Sequence, residues 1–400
     1  NNILLETQHG FRRKRSCEAQ LIITTDDLSR VLNSHGQTDM AILDFSKAFD
    51  KVPHARLAQK LEFFGIRGKT KQWIISFLHA RSQRVLVDGD MSQLNPVISG
   101  VPQGTVLGPI LFLIYINDIS DNIDSTVRLF ADDCLVYREI KTLDDCQILQ
   151  RDLDTIYNWS ETWLMEFNVT KCYFMSITLA RNKIDVIYSM DGKYLSRTDI
   201  NPYLGVQISY NLNWTPQVDK VCNKANKILG LLRRNLHHTS CNIKEDSYKM
   251  MVRPILEYSS TVWCPWQQKN KAKLESIQKR AARFVLNKPN YPGSKDSITT
   301  LIREDLEWET LEERRNKNSL KMLYKVVNNQ IAVPPPYHPT PANRTTRTGP
   351  HTFMQYQPTV NAYKYSFFPR TVTLWNTIPA CVASSSSIEE FKSGLQKLPF

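Results

Sequence analysis

Two periods of apolar spacing alternate along the chain, and the switches between them mark most of its elements. Residues 16–34 carry Leu21, Thr24, Thr25, Leu28, Val31 and Leu32 at helical spacing behind Ser16, which can cap a helix. Met40-Ala-Ile-Leu-Asp-Phe45 is a short apolar run read as a buried strand that delivers Asp44 to its tip. Two helices are predicted over 54–64 and 70–79, separated by Gly65-Ile-Arg-Gly68. Residues 83–89 alternate like a strand and end in an Asp88-Gly89 turn, which leads into a hairpin. A helix is expected over 108–119, with Pro109 in its first turn. Residues 127–137 form two short apolar runs around Asp132 and Asp133, which suits a tight β-hairpin with the acids at its bend. A long helix over 142–161 follows, and strands at 172–179, 184–190 and 203–209 are expected to complete the sheet.

Beyond Trp214 the pattern becomes helical and basic, with helices predicted over 215–236, 243–266, 270–287 and 307–329. Pro334-Pro-Pro336 and the Pro/Thr/Arg-rich stretch to Gly349 read as an extended linker. The last fifty residues are rich in aromatic side chains, among them Phe353, Tyr363, Phe367, Phe368 and Trp375, and close on a short helix near 388–398. These rings either fill the core of a small terminal domain, the favoured reading, or stack on unpaired bases.

Charge sharpens this division. The 400 residues carry a formal net charge of +12. Residues 1–214 hold 23 Lys and Arg against 25 Asp and Glu, whereas 215–330 hold 22 against 12 and 331–400 hold 6 against 2. A near-neutral half therefore contains the paired acids, and a basic half follows. No apolar run reaches the length of a membrane span, so no membrane partner is expected. The opening Asn-Asn-Ile-Leu-Leu lacks a secretory signal, and the chain reads as a fragment of a longer product. Eight cysteines show no ligand spacing, which points to free thiols in a reducing, intracellular setting and away from a zinc knuckle.

The acids are the candidate chemistry. An isolated Asp at a strand end is usually a turn residue or cap. Adjacent Asp132 and Asp133 between apolar runs are harder to dismiss, because half-buried like charges repel unless a cation compensates them. With Asp44 from a neighbouring strand they would suit a pair of divalent ions about 3.5–4 Å apart, the arrangement used for phosphoryl transfer. Mg²⁺, with Mn²⁺ as the alternative ion, takes such oxygen ligands.

Leu43-Asp-Phe-Ser-Lys-Ala-Phe-Asp50, Ser99-Gly-Val-Pro-Gln-Gly-Thr-Val-Leu-Gly-Pro109 and Phe130-Ala-Asp-Asp133 resemble the A, B and C motifs of reverse transcriptases, in the order and spacing of non-LTR, LINE-type retrotransposons of the Jockey or chicken-repeat kind. Gln8-His-Gly-Phe-Arg12 is similar to the block before motif A. Trp163, Leu164, Asn168 and Lys171 resemble motif D, and Tyr203-Leu-Gly-Val206 resembles the motif E primer grip. Phe367-Phe-Pro-Arg370 and Leu374-Trp-Asn376 resemble the carboxyl-terminal part of such elements.

The resemblance implies an α+β, right-hand polymerase fold. Partial fingers and an antiparallel palm sheet with flanking helices would occupy 1–210. A basic helical thumb and connection would occupy 211–330, and a proline-rich linker with an aromatic terminal segment 331–400. It implies an RNA-directed DNA polymerase that copies retrotransposon RNA into cDNA on a DNA primer from dNTPs, using two Mg²⁺ ions. Asp44, Asp132, Asp133 and the Phe45 carbonyl would be the metal ligands, and Lys171 a general acid. Ala48 and Phe49 would meet the incoming nucleotide, with Phe49 as the gate against a 2′-hydroxyl. Pro102, Gln103 and Gly104 would contact the nascent pair, and Tyr203, Leu204 and Gly205 the primer. Full-length elements carry an upstream endonuclease and further fingers motifs, and target-primed synthesis would place the protein in the nucleus, with a cytoplasmic ribonucleoprotein as the other setting. The alternative is a degenerate retrotransposon relic that binds RNA without synthesis. An intron maturase fits Phe130-Ala131 and the tail less well, and Phe49 disfavours an RNA-dependent RNA polymerase.

Overall fold

A computed structural model describes residues 3–288, 298–342 and 351–398. The chain divides into two compact units, Asn1–Gln20 with His35–Asp199, and Leu21–Ser34 with Ile200–Phe400. The fold is mixed α/β, a central sheet flanked by helices with further helices beyond it.

The first unit is built on a five-stranded sheet. Its strands are β1 (Gln37–Leu43), β2 (Thr126–Phe130), β3 (Asp133–Ile140), β4 (Tyr173–Thr178) and β5 (Ser196–Arg197), in the spatial order β5-β4-β1-β3-β2. All neighbours are antiparallel except β5 and β4, which run parallel. The sheet is therefore antiparallel, as expected, except at its β5 edge, which makes it mixed. β1 lies at the centre and is buried almost throughout, which explains its near-continuous apolar run. Its one fully buried acid, Asp39, is satisfied by the Gln37 amide (2.9 Å) and the Tyr188 hydroxyl (2.7 Å). The helix Leu143–Trp163 starts at a capping box between Thr142 and Asp145, and buries Leu149, Leu153 and Ile156 in the same core.

Several elements depart from expectation. The stretch after residue 82 makes only short pairs, Ser82–Gln83 with Asn95–Pro96 and Leu86–Val87 with Asp90–Met91, around the Asp88-Gly89 turn. Its side chains are exposed, so no core face extends the ladder. Of the strand expected over 184–190, only Ser189–Met190 pairs.

In the second unit, β6 (Ile200–Tyr203) and β7 (Val206–Ser209) form a hairpin of their own and do not extend the central sheet. The helices Thr215–Asn235 and Gln268–Val285 pack on each other. The helix expected over 243–266 ends at Glu257 and is continuous through Cys241–Ser247, a π-helical turn Tyr248–Val252, and Arg253–Glu257. The π-turn lies directly ahead of Pro254, which has no amide to donate back into the preceding turn. The helix expected from 307 begins at Leu311, after the Thr310 cap, and runs to Val327. The tail aromatics turn inward: Phe367, Phe368, Trp375 and Phe391 are buried, and Tyr324 stacks on Phe391 at 4.5 Å. Residues 343–349 of the expected linker lie outside the described residues.

No helix among the described residues is long and apolar enough to cross a membrane.

Candidate functional site

The acids come together through sheet register. β1 pairs with β3 up to Leu43 opposite Cys134, so Asp44 and Asp133 follow directly at the same end of the sheet. β2 and β3 pair up to Phe130 opposite Asp133, leaving Ala131 and Asp132 as a two-residue turn. Ala131 sits at φ 52°, a left-handed conformation that costs a non-glycine residue about 1 kcal/mol or more.

That strained turn is held by a strap from the start of the chain. The Leu129 carbonyl accepts from the His9 amide (2.8 Å), and the Leu129 amide donates to Thr7 (3.1 Å). Gln8, buried, then clamps the turn. Its Oε1 accepts from the amides of Gly10 (2.7 Å) and Ala131 (2.9 Å), and its Nε2 donates to the Ala131 carbonyl (3.3 Å). A Cβ on Gly10 would lie 2.3 Å from the Ala131 nitrogen, so only glycine fits. The Gln8-His-Gly block was visible in the sequence, but its contact with a turn 123 residues away was not.

Asp44 is fixed from the other side. Its carbonyl accepts from Asn168 (2.8 Å), the Ser46 amide donates to Glu166 (2.8 Å), and the Phe45 and Phe167 rings stack at 4.2 Å. Desolvation by the surrounding protein raises the Asp132 carboxyl, and Asp44 adds to the effect. Desolvation, then Asp132 and Asp44, push Asp133 up to about 6. The three acids therefore sense one another.

They do not, however, form a metal centre. Among the described residues no group of three or more His, Cys, Asp or Glu side chains is arranged to hold a metal ion. The expectation of two Mg²⁺ or Mn²⁺ ions on Asp44, Phe45, Asp132 and Asp133 is overturned. Shared register brings the acids to one end of the sheet, but ligation also needs their oxygens to converge on a point.

The remaining predicted residues fall in three places. Phe49 lies stacked on Phe112 at 4.2 Å, with Phe11 edge-on at 6.2 Å, and Ala48 is buried at the start of the short helix Ala48–Lys51. The loop after Ser99 is bound to this segment. Val101 donates to the Phe49 carbonyl (2.8 Å), Gly100 donates to Val52 (2.8 Å), and Gln103 Nε2 donates to Asp50 Oδ1 (3.0 Å). Gly100, at φ 87°, has no room for a Cβ, which would meet the Asp50 carbonyl at 2.6 Å. Pro102 and Gln103 line a cavity of 650 Å³ with Lys47, Asp50, Arg81 and Gln83, while Gly104 is exposed beside it. Lys47 and Asp50 lie within the motif A stretch without a role assigned from sequence, and Arg81 lies outside every motif.

Lys171 ends a one-turn 3₁₀ helix, Val169–Lys171, and is exposed. Tyr203, Leu204 and Gly205 belong to the second unit, where Leu204 and Gly205 form the β6–β7 turn. The Tyr258 hydroxyl donates to the Leu204 carbonyl (2.9 Å) and Lys220 Nζ to that of Gly205 (3.1 Å). Arg12 and Arg15 are both engaged by Glu6 and by backbone carbonyls.

Residues 2–208 match the family model described as reverse transcriptase (RNA-dependent DNA polymerase). The chain is similar to the RNA-directed DNA polymerase from mobile element jockey of Drosophila melanogaster, 26% identical over 72% of this chain and 33% of that protein. It is also similar to the probable RNA-directed DNA polymerases from transposon BS (24%; 79% of this chain, 36% of that one) and transposon X-element (25%; 78% and 35%) of the same organism. The chain spans about a third of the length of these relatives.

Proposed function

Because the chain belongs to the reverse-transcriptase family, among the polymerases of non-LTR retrotransposons, we propose that it is a polymerase-derived domain that binds RNA and synthesises little or no DNA. One observation carries this reading. The acids of the A and C motifs gather at one end of the sheet, yet their side chains are not arranged to hold a metal ion among the described residues. A polymerase centre needs charge compensation at the attacking and leaving oxygens, and a cluster without it is left repelling its own substrate phosphates.

The binding apparatus supports the other half. Lys47, Arg81 and Gln103 face one cavity beside the stacked Phe49, and the basic helices follow in the second unit. In this reading Asp44, Asp132 and Asp133 remain as an acidic cluster without catalytic output, and Lys171 is a surface lysine. Ala48, Phe49, Pro102, Gln103 and Gly104 keep the shape of a nucleotide and template site, and Tyr203, Leu204 and Gly205 that of a primer contact. The template–primer, dNTPs and endonuclease would belong to a longer polyprotein, and an active nuclear enzyme is the second reading.

The test uses the purified chain, labelled RNA, and an oligo(dT) primer on poly(rA) with dTTP and Mg²⁺. RNA binding is expected, with incorporation no higher than in the Asp132→Ala/Asp133→Ala variant. Incorporation clearly above that background would overturn the reading, and so would failure to bind RNA.

A further inference from the structure

The second unit contains a cavity that the polymerase comparison does not account for. It encloses 590 Å³ between the ends of the helices Thr215–Asn235 and Gln268–Val285 and the helix Cys241–Ser247. Five cations line it, Arg233, Lys244, Arg280, Arg283 and Lys288, and among the described residues no carboxylate does.

Lys244 is fully buried, which is costly for an ammonium group unless anionic groups compensate it. Among the described residues its Nζ is held by neutral acceptors, the His237 carbonyl (3.0 Å) and Asn287 Oδ1, and stands 5.4 Å from the centre of the Phe284 ring. Arg280 donates to the Asn226 amide oxygen (3.0 Å), also neutral. The Arg233 and Arg283 guanidinium groups make no hydrogen bond or ion pair among the described residues. Among the described residues only Lys288 reaches an acid, Asp305, at 3.9 Å.

The bland explanation is helix-end stabilisation. Lys273 bonds Asp219 and Arg280 bonds Asn226, so the two long helices run in the same direction and both carboxyl ends face the cavity. Each end carries about half a negative charge, roughly one charge together. Among the described residues, five cations less that charge and less Asp305 leave about three positive charges unmatched. Helix ends alone do not account for the excess.

We propose that this cavity is a phosphate-binding site that seats two or more consecutive phosphates of an RNA strand. The inference rests on the RNA-binding reading above and adds a defined anchoring point to it, one lying wholly within the second unit. A strand fits better than a free nucleotide. Five of the eight lining residues are cations, Phe284 is buried and offers no face for stacking, and Asn287 is already occupied by Lys244. Such a site grips backbone and leaves base identity unread.

The test is the salt dependence of binding of a 20-nucleotide RNA to the whole chain. The Arg233→Gln/Arg283→Gln variant removes two cations whose side chains hold nothing else in place. The control, Lys224→Gln/Lys269→Gln, removes two exposed charges from the same two helices. Lys269 lies about 20 Å along its helix from Arg283 at 1.5 Å per residue. The cavity variant is expected to bind RNA about ten-fold more weakly at 0.1 M salt, and the slope of log K against log salt should become shallower by about 1.4, two contacts at ~0.7 each. The control should change neither by as much. Equal losses in both variants, or no loss in the cavity variant while the wild type binds RNA, would overturn the site and leave the RNA-binding reading standing. Failure of the wild type to bind RNA would remove both. Competition by uridine monophosphate as effective as by the 20-mer would reject a strand in favour of a mononucleotide.

Discussion

The acidic sheet end of the first unit and the basic cavity of the second are both clusters of like charge, held in opposite ways. The acids are placed by backbone. Strand register, the Gln8 clamp and the strap at Glu166–Asn168 fix their main chain, and the Asp132 and Asp133 carboxyls bear the cost as raised pKa values. The cations are placed by three helix ends, and two of the five guanidinium or ammonium groups are left without a protein partner among the described residues. A cluster built this way depends little on its charges for stability and leaves them available to a ligand. The contrast teaches that motif residues can be brought together by a rigid scaffold and still fail as a ligand set, whereas an unmarked basic cavity can present a more complete one.

If the scaffold of the acidic end is as rigid as its hydrogen bonds imply, perturbing it should cost stability, in descending order. The largest effect concerns His9, buried with no partner for Nδ1. Burial, then Arg15, Arg128 and Arg12, lower its pKa to about 3. A base with a depressed folded pKa stays neutral in the native state while the unfolded chain takes up a proton, so stability is lost as pH falls from 6.5 towards 3. The loss should reach ~4 kcal/mol, and His9→Gln should flatten that part of a denaturant-based pH profile. An unchanged profile would mean that His9 is not sealed beneath the strap.

Gly10→Ala should come next, destabilising by about 3 kcal/mol in urea, because its Cβ would strike backbone that cannot swing aside. Gln8→Ala should cost about 2 kcal/mol, since it strands the buried Ala131 and Gly10 amides. A value near zero there would show that the turn holds its strained φ unaided.

Asp133→Asn should have the opposite sign. A carboxyl raised to about 6 is penalised in the folded state once ionised, and the penalty disappears as pH falls below the unfolded value near 4. The variant should therefore be more stable at pH 7.5, by about 1 kcal/mol after solvent screening, and indistinguishable from wild type at pH 4. The smallest effect belongs to the basic cavity, where Arg233→Gln/Arg283→Gln should change unfolding free energy by less than about 0.5 kcal/mol. A larger loss would mean that these arginines hold the helices together, and the comparison would fail.

Much of the fold could be read without coordinates. The helix Cys17–Asn33, the central strand, the acidic hairpin, the Leu143–Trp163 helix and the long basic helices followed from periodicity, caps and turn residues, because burial of one face imposes a local repeat. The A, B and C motifs located one end of the sheet and the loop bound to it. Errors arose where no core face disciplines the chain, as in the exposed hairpin after residue 82, or where a π-turn ahead of a proline interrupts a pattern, as at Pro254.

By itself the sequence determined the family, the mixed α/β class and which acids would meet at the tip of a hairpin, since these depend on local pattern and on residue types in a fixed order. Tertiary structure alone decided the rest. It showed that Gln8 and Gly10 hold the strained Ala131 turn, that β6 and β7 stand apart from the central sheet, and that the three acids are neighbours without being arranged to hold a metal. It also gathered Arg233, Lys244 and Arg283 from three helices around one cavity. The physical reason is that electrostatic and hydrogen-bonding geometry depends on distances of a few ångströms between residues far apart in the chain. Sequence spacing specifies which face a side chain occupies, but not the point at which it converges with others.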